Sequence, residues 1–278
     1  MESISRTKLV ELVRQRISDD TFWDNEIQSE HDRPEAKRIC ASILEDEAQL
    51  NRLLVARKHD ARATVDLLFE QVKFRARYRP SEIHPSTIPN ALPSGAWRLC
   101  GHCKEGYVIS NYKLEHWHPD RYGDAGQIDE AVKEYTRYVC YMIELMIASM
   151  KSGYDRFAVI FDLNGFRFSM VTKSNVRRMI KTLIYVAQAQ YPERLQKVFL
   201  VNAPYGFETA WSLIRPLLDE KTASKIRFVS TDDLVNDIDC AVLSKTYGGL
   251  HEEYPVPSES IDEEALKSSF IVEYISPP

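Results

Sequence analysis

The sequence predicts an α/β fold, a small N-terminal helical domain followed by a mostly parallel β-sheet with helical cover. Three observations carry this. Phe157-Ala158-Val159-Ile160-Phe161 and Val198-Phe199-Leu200-Val201 are continuous apolar runs of strand length, the pattern of strands covered on both faces. Segments of helical periodicity separate the strands, which implies crossover connections and hence a mostly parallel sheet. Residues 35–78 contain no glycine and no internal proline and repeat apolar residues at helical spacing, the composition of a small bundle. At 278 residues the chain has room for two such units, and for a cavity besides a core.

Taken in order, Ser5 to Ile17 reads as a helix whose Leu9, Val10, Leu12, Val13 and Ile17 suit packing on a neighbour, and a polar stretch runs on to Pro34. Ile39, Ile43, Leu44, Leu50, Leu53 and Leu54 mark a helix pair, and Val65, Leu67, Leu68, Phe69, Val72 and Phe74 a further helix. The helical domain is placed at 1–80. Pro80, Pro85, Pro89 and Pro93 make 81–94 an irregular linker, because proline removes a donor and stops helices. The second domain spans 95–252. In it, Trp97–Cys100 and Tyr107–Tyr112 read as strands about a Lys104-Glu105-Gly106 turn, with glycine where positive φ is needed. Asp129 opens a long helix through Met150. Thr172 or Ser174 caps a helix carrying Val176, Met179, Ile180, Leu183 and Ile184, and Thr231, Asp232 and Asp233 offer caps for a last helix. Residues 253–278 form an acidic, proline-containing tail.

Residues 191–230 concentrate the most informative patterns. The strand at Lys197–Asn202 ends at Ala203-Pro204, and from Gly206 the pattern turns helical, with Phe207, Trp211, Ile214 and Leu218 in one stripe. Ala210, Leu213 and Leu217 widen that stripe beyond one face. A helix this apolar is either fully buried or touches something apolar on its second side. A second strand closes the segment. Tyr191-Pro192-Glu193-Arg194-Leu195, Asn202-Ala203-Pro204, Gly206-Phe207, and Asp219 followed by Thr222-Ala223-Ser224-Lys225-Ile226 are similar to the most distinctive segment of CRAL-TRIO lipid-binding domains. The likeness is closest to the yeast-secretory type of phosphatidylinositol/phosphatidylcholine transfer protein. Leu50–Tyr78, centred on Ala56-Arg57-Lys58, resembles that family's small helical domain, placed from about residue 35, and Tyr247-Gly248-Gly249 resembles the closing motif of its lipid-binding lobe.

The resemblance implies a sheet that floors a lipid pocket and a gate helix bearing Phe207, Trp211, Ile214 and Leu218. It also implies a phosphatidylinositol headgroup site at Arg57, Lys58, Glu193, Asp219, Thr222 and Lys225. The residue types suit that ligand: Arg presents a forked donor set to phosphate oxygens, Lys a point charge, and Glu accepts from sugar hydroxyls. Taken singly, each of the six also reads as a solvated charge or a helix cap. One part of the family pattern departs. Ser and Thr hydroxyls on the strand before Asp-Leu-x-Gly meet the phosphatidylcholine headgroup in that branch, whereas Phe157 and Val159 stand at the matching places here. A buried choline phosphate would lack those donors, so the second ligand is expected to be another hydrophobic molecule or none. The implied function is transfer or exchange of phosphatidylinositol at membrane surfaces by docking, gate opening, exchange and closure. Its alternatives are a lipid sensor that presents its ligand in phosphoinositide signalling, or a carrier of another hydrophobic ligand. Bound phospholipid stands in place of a cofactor, and no catalytic residue is implied.

Other chemistry finds less support. Cys100, Cys103, His116 and His118 superficially offer four zinc ligands, but His-x-His lacks the wider helical spacing of a finger, and they read as a reduced pair beside surface histidines. Dinucleotide, P-loop and nucleophile-elbow motifs are absent. Asp129/Glu130 and Asp232/Asp233 read as helix caps. A formal net charge of −5 argues against nucleic acid, and an odd five cysteines fit a reducing compartment. The start MESISRTKLVELVRQRISDD mixes charged and apolar residues and is neither a signal peptide nor a span, and no other run reaches spanning length. The expectation is a metal-free, monomeric cytoplasmic protein that contacts membranes peripherally.

Overall fold

The structure, a computed structural model, describes residues 6–19, 21–122 and 127–254. Ser5, at the head of the expected first helix, and residues 255–278 of the expected tail lie outside the described residues. The chain divides into two compact units, Met1–Glu82 with Ala187–Glu193, and Ile83–Val186 with Arg194–Pro278.

The first unit is helical: α1 (Arg6–Ile17), α2 (Phe22–Glu26), α3 (Arg33–Glu45), α4 (Glu47–Ala56) and α5 (Ala61–Tyr78). Asp46 and Asp60 start α4 and α5 by accepting from Gln49 N at 2.9 Å and Ala63 N at 2.8 Å, which satisfies donors that a first turn leaves orphaned. Leu9 and Val13 of α1, Phe22 and Trp23 of α2, and Leu53, Leu67, Leu68 and Val72 of α4 and α5 form one core. The segment 187–193 completes it. Ala189 joins the core, and Gln71, fully buried on α5, donates through Nε2 to Ala189 O at 2.8 Å and Gln190 O at 3.3 Å.

The second unit is the α/β body: β1 (Trp97–His102), β2 (Val108–Lys113), α6 (Ile128–Ala148), β3 (Phe157–Asp162), α7 (Ser169–Thr172), α8 (Ser174–Tyr185), β4 (Leu195–Val201), α9 (Phe207–Ile214), α10 (Glu220–Ser224) and β5 (Ile226–Phe228). A π-helical turn, Val186–Gln190, follows α8. The strands form one sheet in chain order; β1 and β2 are antiparallel, and every later pair is parallel. This is the α/β architecture expected from the sequence. Gly106 turns β1 into β2 at φ +89°, and a Cβ there would sit 2.3 Å from the Tyr154 ring.

Three local expectations need correction. Neither Thr172 nor Ser174 caps α8. Its N-cap is Lys173, without a side-chain bond, while the Thr172 hydroxyl turns back to Phe168 O at 3.4 Å, closing α7 instead. The last helix is only a 3₁₀ turn, Asp232–Asn236, started by an exchange in which Ser230 Oγ donates to Asp233 and accepts from Asp233 N. Most consequential, α9 stops at Ile214, a 3₁₀ turn follows at Arg215–Leu217, and Leu218 lies beyond the helix. Pro216 is the reason, since it contributes no N–H and its ring crowds the preceding turn.

Ile109, Ala158, Ile160, Phe199 and Val201 on one face of the sheet pack with Leu234, Ile238, Leu243, Tyr247 and Tyr254 from the end of the described chain. The polar centre of this layer is Asp162, nearly fully buried at the end of β3. Its Oδ1 accepts from Asn164 N at 2.9 Å and Asn202 Nδ2 at 2.8 Å, and its Oδ2 from Tyr247 OH at 3.0 Å. One carboxylate therefore ties together Asp162-Leu163-Asn164-Gly165, Asn202-Ala203-Pro204 and Tyr247-Gly248-Gly249. Gly249 is needed for space: a Cβ there would lie 1.8 Å from Leu243 O. Nearby, Glu253 accepts from Lys113 Nζ, Arg98 Nη1 and Thr246 Oγ1, fastening the closing segment to β1 and β2.

Candidate functional site

The opposite face of the sheet is where the sequence places the pocket floor. Side chains alternate along a strand, so Phe157, Val159 and Phe161 share that face. The register sets Val159 beside Ser110 and Val198, and Phe161 beside Tyr112 and Leu200. Phe157 and Val159 are buried, while Phe161 and Val198 are half-buried. Hydroxyl groups absent at 157 and 159 stand close by on neighbouring elements. Tyr112 stacks on Phe161 at 4.8 Å and shares a hydrogen bond with Tyr135 at 3.1 Å. Tyr138 OH accepts from Trp97 N, and Ser110 Oγ from Trp97 Nε1, both at 2.9 Å. Burial pushes the phenols of Tyr112, Tyr122, Tyr135 and Tyr138 well above their usual range, so they remain neutral. Sequence reasoning missed this set. The spacing of Tyr135 and Tyr138 on α6 was visible, but Ser110 and Tyr112 join them only through register.

The segment expected from the sequence to be a gate follows β4. Of α9 only Phe207 and Ala210 are buried, which settles the sequence's either/or: this is not a core helix. Phe207 meets Phe166 edge-on at 5.0 Å and Phe228 at 6.1 Å, and Trp211 meets Phe228 at 5.5 Å. Around these contacts large apolar side chains face solvent. Leu213 and Phe228 are each 51% exposed, Phe168 is 48% exposed and Tyr205 fully so, with Trp211, Ile214, Leu217 and Leu218 half-buried. Of the exposed side chains, Phe228 is joined by ring contacts to Phe207 and Trp211.

The six positions expected from the sequence to form a headgroup site fall on both units. Arg57, Lys58 and Glu193 belong to the helical unit, and Asp219, Thr222 and Lys225 to the α/β unit. Arg57 ends α4, and the backbone then turns left-handed at Lys58 (φ +50°) and His59 (φ +62°) before Asp60 caps α5. Glu193 is left-handed too, at φ +63°. Non-glycine residues adopt that region at a cost of about 1 kcal/mol or more, and it holds Lys58 and Glu193 at tight turns. In the other unit, Asp219 is the N-cap of α10, its Oδ1 accepting from Thr222 N at 2.7 Å and its Oδ2 from Thr222 Oγ1 at 2.8 Å. Lys225 ends α10 and donates through Nζ to Leu195 O at 2.5 Å, beside the start of β4. A carboxylate, a hydroxyl and an ammonium are thus gathered on one short partly exposed segment directly after α9.

The Cys/His group gives nothing comparable. Cys100 is buried, its thiol pushed far up by that burial. Among the described residues no three His, Cys, Asp or Glu side chains gather where a metal ion could sit. Among them also, no helix is long and apolar enough to cross a membrane.

Comparison with known proteins bears on this geometry. Residues 93–249 match the CRAL/TRIO domain. The chain is 28% identical over 227 residues to SEC14 cytosolic factor of Kluyveromyces lactis, covering 74% of this chain and 72% of that protein. It is 30% identical over 148 residues to phosphatidylinositol/phosphatidylcholine transfer protein SFH7 of Arabidopsis thaliana, covering 52% of this chain and 26% of that one. Among solved structures, Sfh5 superposes with a TM-score of 0.53 at 21% identity, covering 69% of this chain and 68% of the other, a likeness of fold.

Proposed function

The chain belongs to the CRAL/TRIO domain family, and from that premise we propose that it binds phosphatidylinositol and exchanges it at membrane surfaces through a gated apolar pocket. The observation that carries this reading is the pairing of two features on consecutive segments: an apolar gate, α9, left largely exposed, and the polar group of Asp219, Thr222 and Lys225 that follows it. A bilayer offers the exposed side chains an apolar environment that water does not, at about 25 cal/mol per Å² of apolar surface transferred. Opening α9 on the membrane is therefore less costly than opening it in solution. The inositol phosphate is met by Lys225 as a point charge and by the Thr222 hydroxyl, which exchanges its bond to Asp219 for one to the ligand. Asp219 then accepts from ring hydroxyls. No covalent step is required.

Support from outside the chain comes from the Arabidopsis relative, a phosphatidylinositol/phosphatidylcholine transfer protein. Phosphatidylcholine as second ligand is disfavoured by Phe157 and Val159, which offer no hydroxyl donor on that strand. Organic extraction of the purified protein followed by mass spectrometry tests the reading directly. Phosphatidylinositol near one molecule per chain is the expected result. A different hydrophobic cargo, with no uptake of phosphatidylinositol after incubation, would leave a carrier of another ligand. Retention of phosphatidylinositol without intermembrane transfer would point to a sensor.

A further inference from the structure

Residues 163–192 contain no Asp or Glu, in a chain whose formal net charge is −5. The helix in this stretch, α8, turns Val176 and Met179 inward and packs on α6, which leaves an outer face of opposite character. Arg177 and Lys181 are four positions apart, so they stand one turn above the other on that face, and both are exposed. Among the described residues neither has a carboxylate partner, whereas the neighbouring Arg178 pairs with Asp129. Lys173, one turn earlier, is engaged within the chain and adds nothing to the set. Arg121 and Arg167 are exposed too and without a carboxylate partner among the described residues, and they line one cavity with Val176 of α8. The local potential is felt by His118: burial first, and then the charges of Arg121, His116 and Arg167, hold its imidazole below the usual range.

Arg121, Arg167, Arg177 and Lys181 thus give one surface of an acidic chain a local field opposite in sign to its net charge. The flanks of that surface indicate what it meets. Tyr185, the next residue of the Arg177–Lys181 row, is 40% exposed, and Phe168, beside Arg167, is 48% exposed. Phe166 packs on Phe207, and α7 packs on α9, so the cationic face runs on into the exposed apolar residues around α9. Cations next to exposed aromatic rings and an apolar helix suit the headgroup level of a bilayer, where the charges stay hydrated near lipid phosphates and the apolar groups lie below them. An acidic protein would answer the charges but not the apolar residues that adjoin them.

We propose that Arg121, Arg167, Arg177 and Lys181 form a docking face for an anionic lipid bilayer, which sets α9 against the membrane. The inference rests on the membrane docking in the proposed function and adds the charge of that membrane; it is independent of the lipid carried.

The test cosediments the full chain and its Arg177→Gln/Lys181→Gln variant with vesicles of phosphatidylcholine and with vesicles that also contain phosphatidylserine. Wild type is expected to prefer the phosphatidylserine vesicles and to lose that preference as salt rises, because exposed charges are screened. A basic residue near an anionic surface contributes about fivefold in binding, so the double variant should lose about thirtyfold of the preference. Both side chains are exposed and Gln is as good a helix former, so its melting temperature and its phosphatidylinositol transfer between plain phosphatidylcholine vesicles should match wild type. Arg177→Lys keeps the charge and should keep the preference. Equal preference in wild type and the double variant overturns the docking face, as does a preference indifferent to salt. An Arg177→Lys protein that loses as much as the double variant replaces bilayer docking by a shaped headgroup site. Saturation of the face by polyglutamate, with no preference among vesicles, assigns it to an acidic protein and overturns the bilayer. A wild type that docks on phosphatidylserine vesicles but transfers no phosphatidylinositol supports this inference and sinks the proposed function instead.

Discussion

Replacing Leu213 and Phe228 together with alanine separates membrane contact from folding. Each side chain is 51% exposed. Complete burial of such a residue contributes about 1.5–3 kcal/mol, so the exposed half of each holds about 1 kcal/mol that only a bilayer can recover. Taken as additive, the double substitution forfeits about 2 kcal/mol of partition free energy, or about thirtyfold in vesicle binding. The buried halves are lost as well, at up to about 1 kcal/mol each, which lowers Tm by about 4–8 °C and leaves the protein folded. Phe207→Ala gives the contrast: that ring is buried between Phe166 and Phe228, and its removal costs about 3–5 kcal/mol of fold stability. Cosedimentation with phosphatidylcholine vesicles measures the first effect and thermal melting the second. Vesicle binding by Leu213→Ala/Phe228→Ala equal to wild type, with the fold intact, would refute membrane contact through α9 and β5.

Three further outcomes are expected. Thr222→Ala combined with Lys225→Gln should abolish transfer of fluorescent phosphatidylinositol at a stability cost of about 1 kcal/mol, since Asp219 still caps α10 through Thr222 N; unaltered transfer removes these residues from the headgroup site. Gly249→Ala should destabilise by about 3 kcal/mol and lower Tm by about 6–12 °C, because the Leu243 carbonyl that its methyl would strike is backbone and cannot rotate aside; a Tm equal to wild type contradicts the close approach. At Glu253, burial works to raise the carboxyl, but hydrogen bonds from Lys113 and Thr246 and the Arg98 charge outweigh it and hold the group below the usual carboxylate range. A depressed folded-state value stabilises above the unfolded value of about 4.3, and the contribution disappears as pH falls through the folded value. Glu253→Gln should therefore lower Tm at neutral pH and flatten its acid limb, so Tm–pH curves that run parallel to wild type argue against the linkage.

Local chemistry was legible wherever a pattern and its consequence lie close together in the chain. The apolar runs at 157–161 and 198–201 are β3 and β4, the Gly106 turn has the backbone its residue type demands, and the periodicity from Asp129 is α6. Pro216 was equally visible, yet the apolar stripe from Phe207 carried the expected helix through it to Leu218. At α8 the hydroxyls offered as caps were engaged elsewhere, a competition that spacing does not display. What sequence could not supply is convergence over distance. Asp162 reads as the end of a strand; that it binds Tyr247, 85 positions on, depends on the closing segment lying against the back of the sheet. Likewise Arg121 and Arg167 are ordinary surface charges until the turn after β2 and the segment after β3 bring them to one cavity.

The way Gln71 is satisfied bears on how the protein can be cut or recombined. Its acceptors, Ala189 O and Gln190 O, come from a stretch more than a hundred residues downstream of α5, and Ala189 fills part of the same core. A fragment ending at residue 82 would keep all five helices yet strand a buried amide and leave a gap beside it, each destabilising by about 1–3 kcal/mol. The N-terminal helices are consequently not a cassette. A chimera that borrows them from a relative inherits a working core only if the donor's counterpart of 187–193 travels with them, so the two stretches are expected to be exchanged as a pair or not at all.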